Sequence, residues 1–263
     1  MRCFGYNKIM KKDRITIDNF RDMGGLSTPY GKIKEGKLYR TSTLVAKTEA
    51  DKYFIEGLNL DCILDYRNTD EALENPDYVP EGVEYLHVPI LREDGALVGL
   101  TDKAKLKFLR ATPEMSKALI EGISATYKEM PFSLGYNELF NRMDEGKTIA
   151  FHCTAGKDRT GISAMLIEMA FDRDLDDIKH EYMLSNDMRY ATNIRIKRIM
   201  KMVFAPKHAI DACWYALTNH MENFEVALEL ILEKYGTFKN YLKEHFGVTE
   251  ERIAKWRNFY IED

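Results

Sequence analysis

No apolar run among the 263 residues is long enough to cross a bilayer, and even the apolar stretch from Gly161 to Phe171 is interrupted by Glu168. The opening residues, Met1-Arg2-Cys3-Phe4-Gly5-Tyr6-Asn7-Lys8, lack the apolar core of a signal peptide. We therefore expect a soluble, cytoplasmic protein, exported if at all by a route that needs no signal peptide. The four cysteines, Cys3, Cys62, Cys153 and Cys213, show no paired spacing, so no disulfide framework is expected. Six histidines are scattered without ligand spacing, which argues against a metal site, and no cofactor is called for. An excess of positive charge is also missing. The net charge of −4 argues against nucleic acid as the main partner, because nonspecific binding to a polyanion needs a broad basic surface. No tract is repeated or of low complexity, which excludes a disordered chain.

A length of 263 residues with 45% hydrophobic residues suffices for a sizeable core. We expect a single domain over 1–263, its part from about 187 to 263 forming a helical annex or lid. Chemistry concentrates in His152-Cys153-Thr154-Ala155-Gly156-Lys157-Asp158-Arg159-Thr160-Gly161. The preceding Thr148 to Phe151 is apolar and β-prone, and Gly161 to Phe171 has a helical apolar pattern, so the loop joins a buried strand to a buried helix. Such a loop aims successive N–H groups and the positive helix end at one point, where a phosphoryl group fits. Thr154, Ala155, Gly156, Lys157, Asp158 and Arg159 are its candidate phosphate-binding residues. Gly156 lets the backbone approach closely, and Arg159 offers a planar fork to two phosphoryl oxygens that a lysine cannot match. The same field lowers the pKa of Cys153, the candidate nucleophile. Thr160 can hydrogen-bond the sulfur, and His152 can orient the cysteine backbone. A nucleotide P-loop is excluded: Asp158 stands where a Ser or Thr is required, and position 151 is not glycine. The plain alternative, that Cys153 is one more buried thiol, leaves the register of cysteine, glycine, arginine and threonine unexplained.

This loop resembles the signature of cysteine-dependent tyrosine and dual-specificity phosphatases, in the bacterial variant with Lys-Asp before the arginine. Asn19 to Gly25 with Leu38 to Ser42, Ile63 to Arg67, Tyr182 to Asp187, and the tail around Tyr235 to Phe238 are similar to the same group. The resemblance implies an α/β cysteine-phosphatase fold, with a central, largely parallel sheet flanked by helices and an extra C-terminal helical region. It also implies hydrolysis of phosphotyrosine, extending in some members to phosphoserine, phosphothreonine and phosphoinositides. Expected partners are thus a phosphorylated protein or a phosphoinositide, and the chain is expected to be a monomer.

A general acid is also required. The Trp-Pro-Asp sequence of the eukaryotic enzymes is absent, and Ile90-Leu91-Arg92-Glu93-Asp94 offers Glu93 and Asp94, the latter near the point where the bacterial group places an aspartate, in a region that does not match that group residue by residue. Asp158 is the rival, since myotubularin-like lipid phosphatases hold an aspartate there; equally, it could only shape the loop, by binding Arg159 or a neighbouring backbone N–H. Lys157 resembles the loop lysine of phosphatase-and-tensin lipid phosphatases and could meet an inositol phosphate. Two basic stretches, Lys103 to Arg110 and Arg195 to Lys201, read first as solvated helix faces and second as a lid or a transient anionic-membrane contact. Arg21 with Asp22 reads as an ion pair, and Asp65 with Arg67 as one anchoring the next loop through Glu71.

Strand-like Lys37 to Arg40, a helix from Glu49 to Glu56, a strand from Asp61 to Tyr66, a short helix capped by Asn68 and a strand at Tyr85 to Val88 begin a βαβ pattern; beyond the loop the pattern is almost wholly helical. Two readings of other classes stand beside the phosphatase. A sulfurtransferase or arsenate reductase would not need Thr160 after the arginine, and a silent phosphate-binding module would typically lack the cysteine or the arginine.

Overall fold

The computed structural model describes residues 15–90 and 111–263. Its main sheet is built from β1 (Arg21–Asp22), β4 (Leu38–Thr41), β5 (Cys62–Asp65), β6 (Glu84–His87) and β7 (Ile149–His152), in the order β1-β4-β7-β5-β6. Only β1 runs antiparallel, against β4. Every residue of β4, β5 and β7 is buried, as parallel strands covered on both faces must be. The edge strand β6 shows Glu84, Tyr85 and His87 to solvent instead. A second, small antiparallel sheet joins β2 (Ser27–Thr28), β3 (Gly31–Ile33) and β8 (Ile261–Glu262), a strand that the helical pattern of the preceding residues did not announce.

Helices α1 (Glu49–Gly57) and α2 (Thr69–Glu74) follow β4 and β5, α3 (Pro113–Thr126) and α4 (Asn137–Asp144) precede β7, and α5 (Asp158–Ala170) leaves it. Then come α6 (Leu175–Met188), α7 (Tyr190–Met202), α8 (Lys207–Leu217), α9 (Met221–Tyr235), α10 (Phe238–Phe246) and α11 (Glu250–Tyr260). Both α1 and α2 start on reciprocal capping boxes, Thr48 with Asp51 and Asn68 with Glu71. Alternation along the strands divides the core in two. Leu38, Cys62, Leu64, Ile149 and Phe151 face a large cluster that continues through α5 to Leu242, Trp256 and Tyr260. Tyr39, Ile63 and Ala150 face a smaller one with Leu44, Ile55 and Leu60.

All of α5 after Asp158 is buried, so this helix is covered around its whole girth and sits between layers, with Glu168 kept inside by Arg173. It begins at Asp158, three residues before the expected Gly161, because the loop closes directly into the first helical turn. Arg159 and Thr160 therefore belong to that turn. Among the described residues, no helix is long and apolar enough to cross a membrane.

Candidate active site

Strand β7 lies between β4 and β5, with His152 in register with both Thr41 and Asp65, so the loop leaves the sheet at its centre. Ligands of open parallel sheets bind at this carboxyl end. Gly156 has φ +66°, and a side chain there would put its first carbon 2.3 Å from the carbonyl oxygen of Thr41. The loop is thus pressed against the end of β4, and only glycine fits.

Three distant segments hold the outside of the loop. Asn19 donates from Nδ2 to the carbonyls of Ala155 (3.0 Å) and Gly156 (2.8 Å). Arg40 donates to the Gly156 carbonyl at 3.2 Å, and Arg189 to that of Ala155 at 3.3 Å. Glu181 binds both Arg40 and Arg21, and Arg21 in turn donates to Oδ1 of Asn19. Asp22 is not the partner of Arg21: its carboxylate accepts from the backbone N–H groups of Gly24 and Gly36 instead. With its carbonyls tied outward, the loop leaves the N–H groups of residues 154–158 without acceptors among the described residues. These are the orphan donors that an anion satisfies at a helix start.

Arg159 is held from the other side. Its NH1 donates to Glu71 Oε2 (2.9 Å) and to the Tyr66 carbonyl (3.1 Å), and its NH2 donates to Glu71 Oε1 (3.0 Å). Glu71 also accepts the hydroxyl of Thr154 and, through its capping box, the N–H of Asn68. Burial pushes the Glu71 carboxyl up, but the Arg159 guanidinium and these donors outweigh it and hold it below the usual range. Arg159 Nε and the Thr160 hydroxyl oxygen are buried with no nitrogen or oxygen partner. The fork is fixed by its far edge, and Nε remains as a fourth donor. Glu71 is the principal residue that sequence reasoning misplaced: the ion pair of Arg67 is with Asp65 and Asp77, while Glu71 serves Arg159. Its signal was the capping box at Asn68, which fixes the carboxylate at the helix start.

Cys153 is 2% exposed. Burial alone pushes its thiol up, but the Arg159 guanidinium and the hydrogen bonds offered by the Thr160 hydroxyl and N–H bring it below the ordinary cysteine value. Beneath it lies a sealed charge cluster. His152 is ion-paired with Asp77 at 3.2 Å and its Nδ1 lies 3.1 Å from the Cys153 carbonyl oxygen. Burial would lower the imidazole pKa; Asp77 and Asp65 reverse this and raise it to about 9. The ring is therefore protonated at neutral pH, and Nδ1–H donates to that carbonyl. Asp65, Asp77 and His152 are the three described residues close enough together to share a metal ion, but Arg67 already bridges the two carboxylates.

Asp158 pairs not with Arg159 but with its neighbours: its Oδ1 accepts from Lys157 Nζ (2.8 Å) and from the hydroxyl of Tyr127. Lys157 is buried, and its ammonium also donates to the carbonyl of Thr218 at 3.3 Å, so it is no free surface cation. Asp94 and Glu93 lie outside the described residues, as do Cys3 and the basic stretch from Lys103 to Arg110.

Residues 14–262 match the model of a family described as the tyrosine phosphatase family. A Cupriavidus necator protein provisionally named as a tyrosine-protein phosphatase is 28% identical over 94% of this chain and 86% of its own length. The triple specificity protein phosphatase PtpB of Mycobacterium tuberculosis is 25% identical over 92% of this chain and 96% of its own. The crystal structure of P. aeruginosa TpbA covers 80% of this chain and 96% of that one at 13% identity and a TM-score of 0.32, too distant a likeness to carry an argument. On a match that spans nearly its whole length, the chain belongs to the tyrosine phosphatase family.

Proposed function

We propose that this chain hydrolyses phosphotyrosine in proteins through a phosphocysteine on Cys153, and that residues 1–263 act as one catalytic unit with 187–263 as its helical annex. The observation that carries the reading is the buried Cys153 thiol at the start of a loop of unpartnered N–H donors, with Arg159 braced by Glu71. The Cys153 sulfur attacks phosphorus, the bond from phosphorus to the tyrosyl oxygen breaks, and that oxygen takes a proton from an acid. Water then attacks the phosphocysteine, the sulfur–phosphorus bond breaks, and phosphate leaves while the acid recovers its proton. Arg159 and the amides of Thr154 to Asp158 stabilise the charge spread over the equatorial oxygens, which is where such sites gain most. Thr160 steadies the leaving thiolate.

For the acid we keep two aspartates. Asp158 stands on the loop, beside Tyr127 and Lys157, and Asp94 lies outside the described residues. Exchanging the true acid for asparagine should cost about 10² to 10⁴ in turnover, and the loss should shrink for a leaving group that needs no proton.

Phosphate release from a phosphotyrosine peptide, a phosphoserine peptide and a soluble phosphoinositide tests the reading. Preference for phosphotyrosine, abolished in Cys153→Ser, is the expected result. A Cys153→Ser variant that retains full turnover would overturn it. Since one relative is named a triple specificity phosphatase, the two other substrates set the breadth. Lys157 is tied to Asp158 and Thr218, which gives the phosphoinositide reading less support than the loop motif suggested.

A further inference from the structure

Helices α7 and α8 form a hairpin rooted on the phosphate loop at both ends. At the base, Arg189 binds the Ala155 carbonyl, Lys157 binds the Thr218 carbonyl, and Asn193 ties α7 to the Leu217 carbonyl. The far end of α7 lies about 20 Å away at 1.5 Å per residue.

At that end the chain leaves Phe204 93% exposed, Met202 76%, Val203 50% and Ile199 49%. Phe204 also has φ +55°, a conformation in which a bulky side chain is strained. The Ala205 N–H donates to the Met200 carbonyl (3.0 Å) and the Phe204 N–H to that of Lys201 (3.2 Å), the pattern of a helix stop whose left-handed position glycine normally fills. Glycine does fill it after α10, at Gly247 (φ +67°), and after α5 the small polar Asp172 (φ +52°) takes it with the same pair of hydrogen bonds, but neither is a bulky apolar residue. At the end of α7 the chain instead accepts backbone strain in order to hold a phenyl ring out in water.

The charge along α7 and its closing turn is one-sided, with Asp211 further along α8 and Glu114 beside His208 as the nearby acids. Residues 190–207 include Arg195, Lys197, Arg198, Lys201 and Lys207 and no acidic residue, in a chain whose net charge is −4. Lys197 lies over the Trp214 ring at 4.2 Å, while Arg198, Lys201 and Lys207 are exposed beside the apolar tip. Apolar side chains ringed by cations match the interface of an anionic bilayer, which offers head-group charge outside and acyl chains within.

We propose that the α7–α8 hairpin docks the protein on anionic membranes, with Met202, Val203 and Phe204 entering the interface and Arg198, Lys201 and Lys207 meeting the head groups. This inference does not depend on the catalytic reading, since none of these residues belongs to the loop. Docking would hold the phosphate loop, at the root of the same hairpin, within one helix length of the lipid surface.

The test is co-sedimentation of the full chain with phosphatidylcholine vesicles with and without phosphatidylserine. The wild type should sediment with the anionic vesicles only. Arg198→Gln with Lys201→Gln should weaken partition roughly 30-fold, about fivefold per cation. Phe204→Gly should weaken it roughly tenfold or more while raising the melting temperature by relief of strain, and should leave turnover of a soluble substrate unchanged. Lost binding in a more stable protein cannot be ascribed to misfolding. The proposal is overturned if the wild type ignores anionic vesicles, or if Phe204→Gly sediments as well as the wild type. A dimer that Phe204→Gly dissolves in the absence of lipid would also overturn it and assign the tip to a second copy of this chain.

Discussion

Two cysteines sit at opposite ends of the same three strands. Cys62 opens β5 and Cys153 follows the last residue of β7, and both are buried. Burial and the nearby Glu84 push the Cys62 thiol up to about 12. Burial acts on Cys153 in the same direction, yet Arg159 and Thr160 bring it below its ordinary value. Burial is thus not what separates an inert thiol from a nucleophile. The difference is the direction of the strands: their carboxyl ends converge on a helix start with orphan N–H groups and a braced guanidinium, and their amino ends do not. A cavity of about 480 Å³, lined by Ile55, Leu60, Pro80 and Val83 among others, lies at the amino end, away from this chemistry.

The hardest way to break the contrast is to exchange serine for each cysteine in turn. Cys153→Ser should lower phosphotyrosine turnover by on the order of 10⁴ or more, since a hydroxyl in this site is a far weaker nucleophile than a thiolate. Cys62→Ser should leave turnover per folded molecule intact and cost about 1–3 kcal/mol of stability, measured by denaturant unfolding, by burying a hydroxyl. Glu71→Gln comes next. Without the carboxylate Arg159 loses its brace, and we expect kcat/KM to fall about 10²-fold, with the Cys153 pKa moving up or down only slightly in a thiol titration of the free enzyme.

A smaller effect tests the charge cluster beneath the loop. His152 has its pKa raised from 6.5 to about 9 in the folded protein. Its ion pair therefore contributes stability that is fully present below about pH 6.5 and is lost as pH rises through about 9. Asp77→Asn should weaken the protein most below pH 6.5 and flatten this decline, as followed by melting temperature against pH.

The cup itself was legible because its residues are contiguous: cysteine, glycine, arginine and threonine stand in one register between a strand and a helix. The strands β5 and β7 were legible for a similar reason, as short and mostly apolar runs, whereas β4 buries Arg40 and Thr41. The residues that hold the cup were not, because they reach it from far along the chain. Asn19 contacts a loop carbonyl 136 residues away, and Glu71 meets Arg159 across 88. No local periodicity records such a contact. The quoted segments around Asn19 and Arg40 did contain two of the holders, Asn19 and Arg40, together with Arg21, which steadies Asn19, but only the fold shows that they converge on one wall. Lys157 shows the converse error, since a lysine in a polar loop looks free until Asp158 and Thr218 are seen to hold it.

The most direct test of a nucleophile made by its surroundings is the pH dependence of alkylation at each cysteine, read by mass spectrometry of iodoacetamide-treated protein with and without phosphate. We expect Cys153 to react at a pH well below that of an ordinary thiol and to be shielded by phosphate, while Cys62 stays unmodified until the protein unfolds. If Cys153 reacts only in the ordinary thiol range, or reacts equally well in the presence of phosphate, the loop is not the thiolate-forming anion site described here.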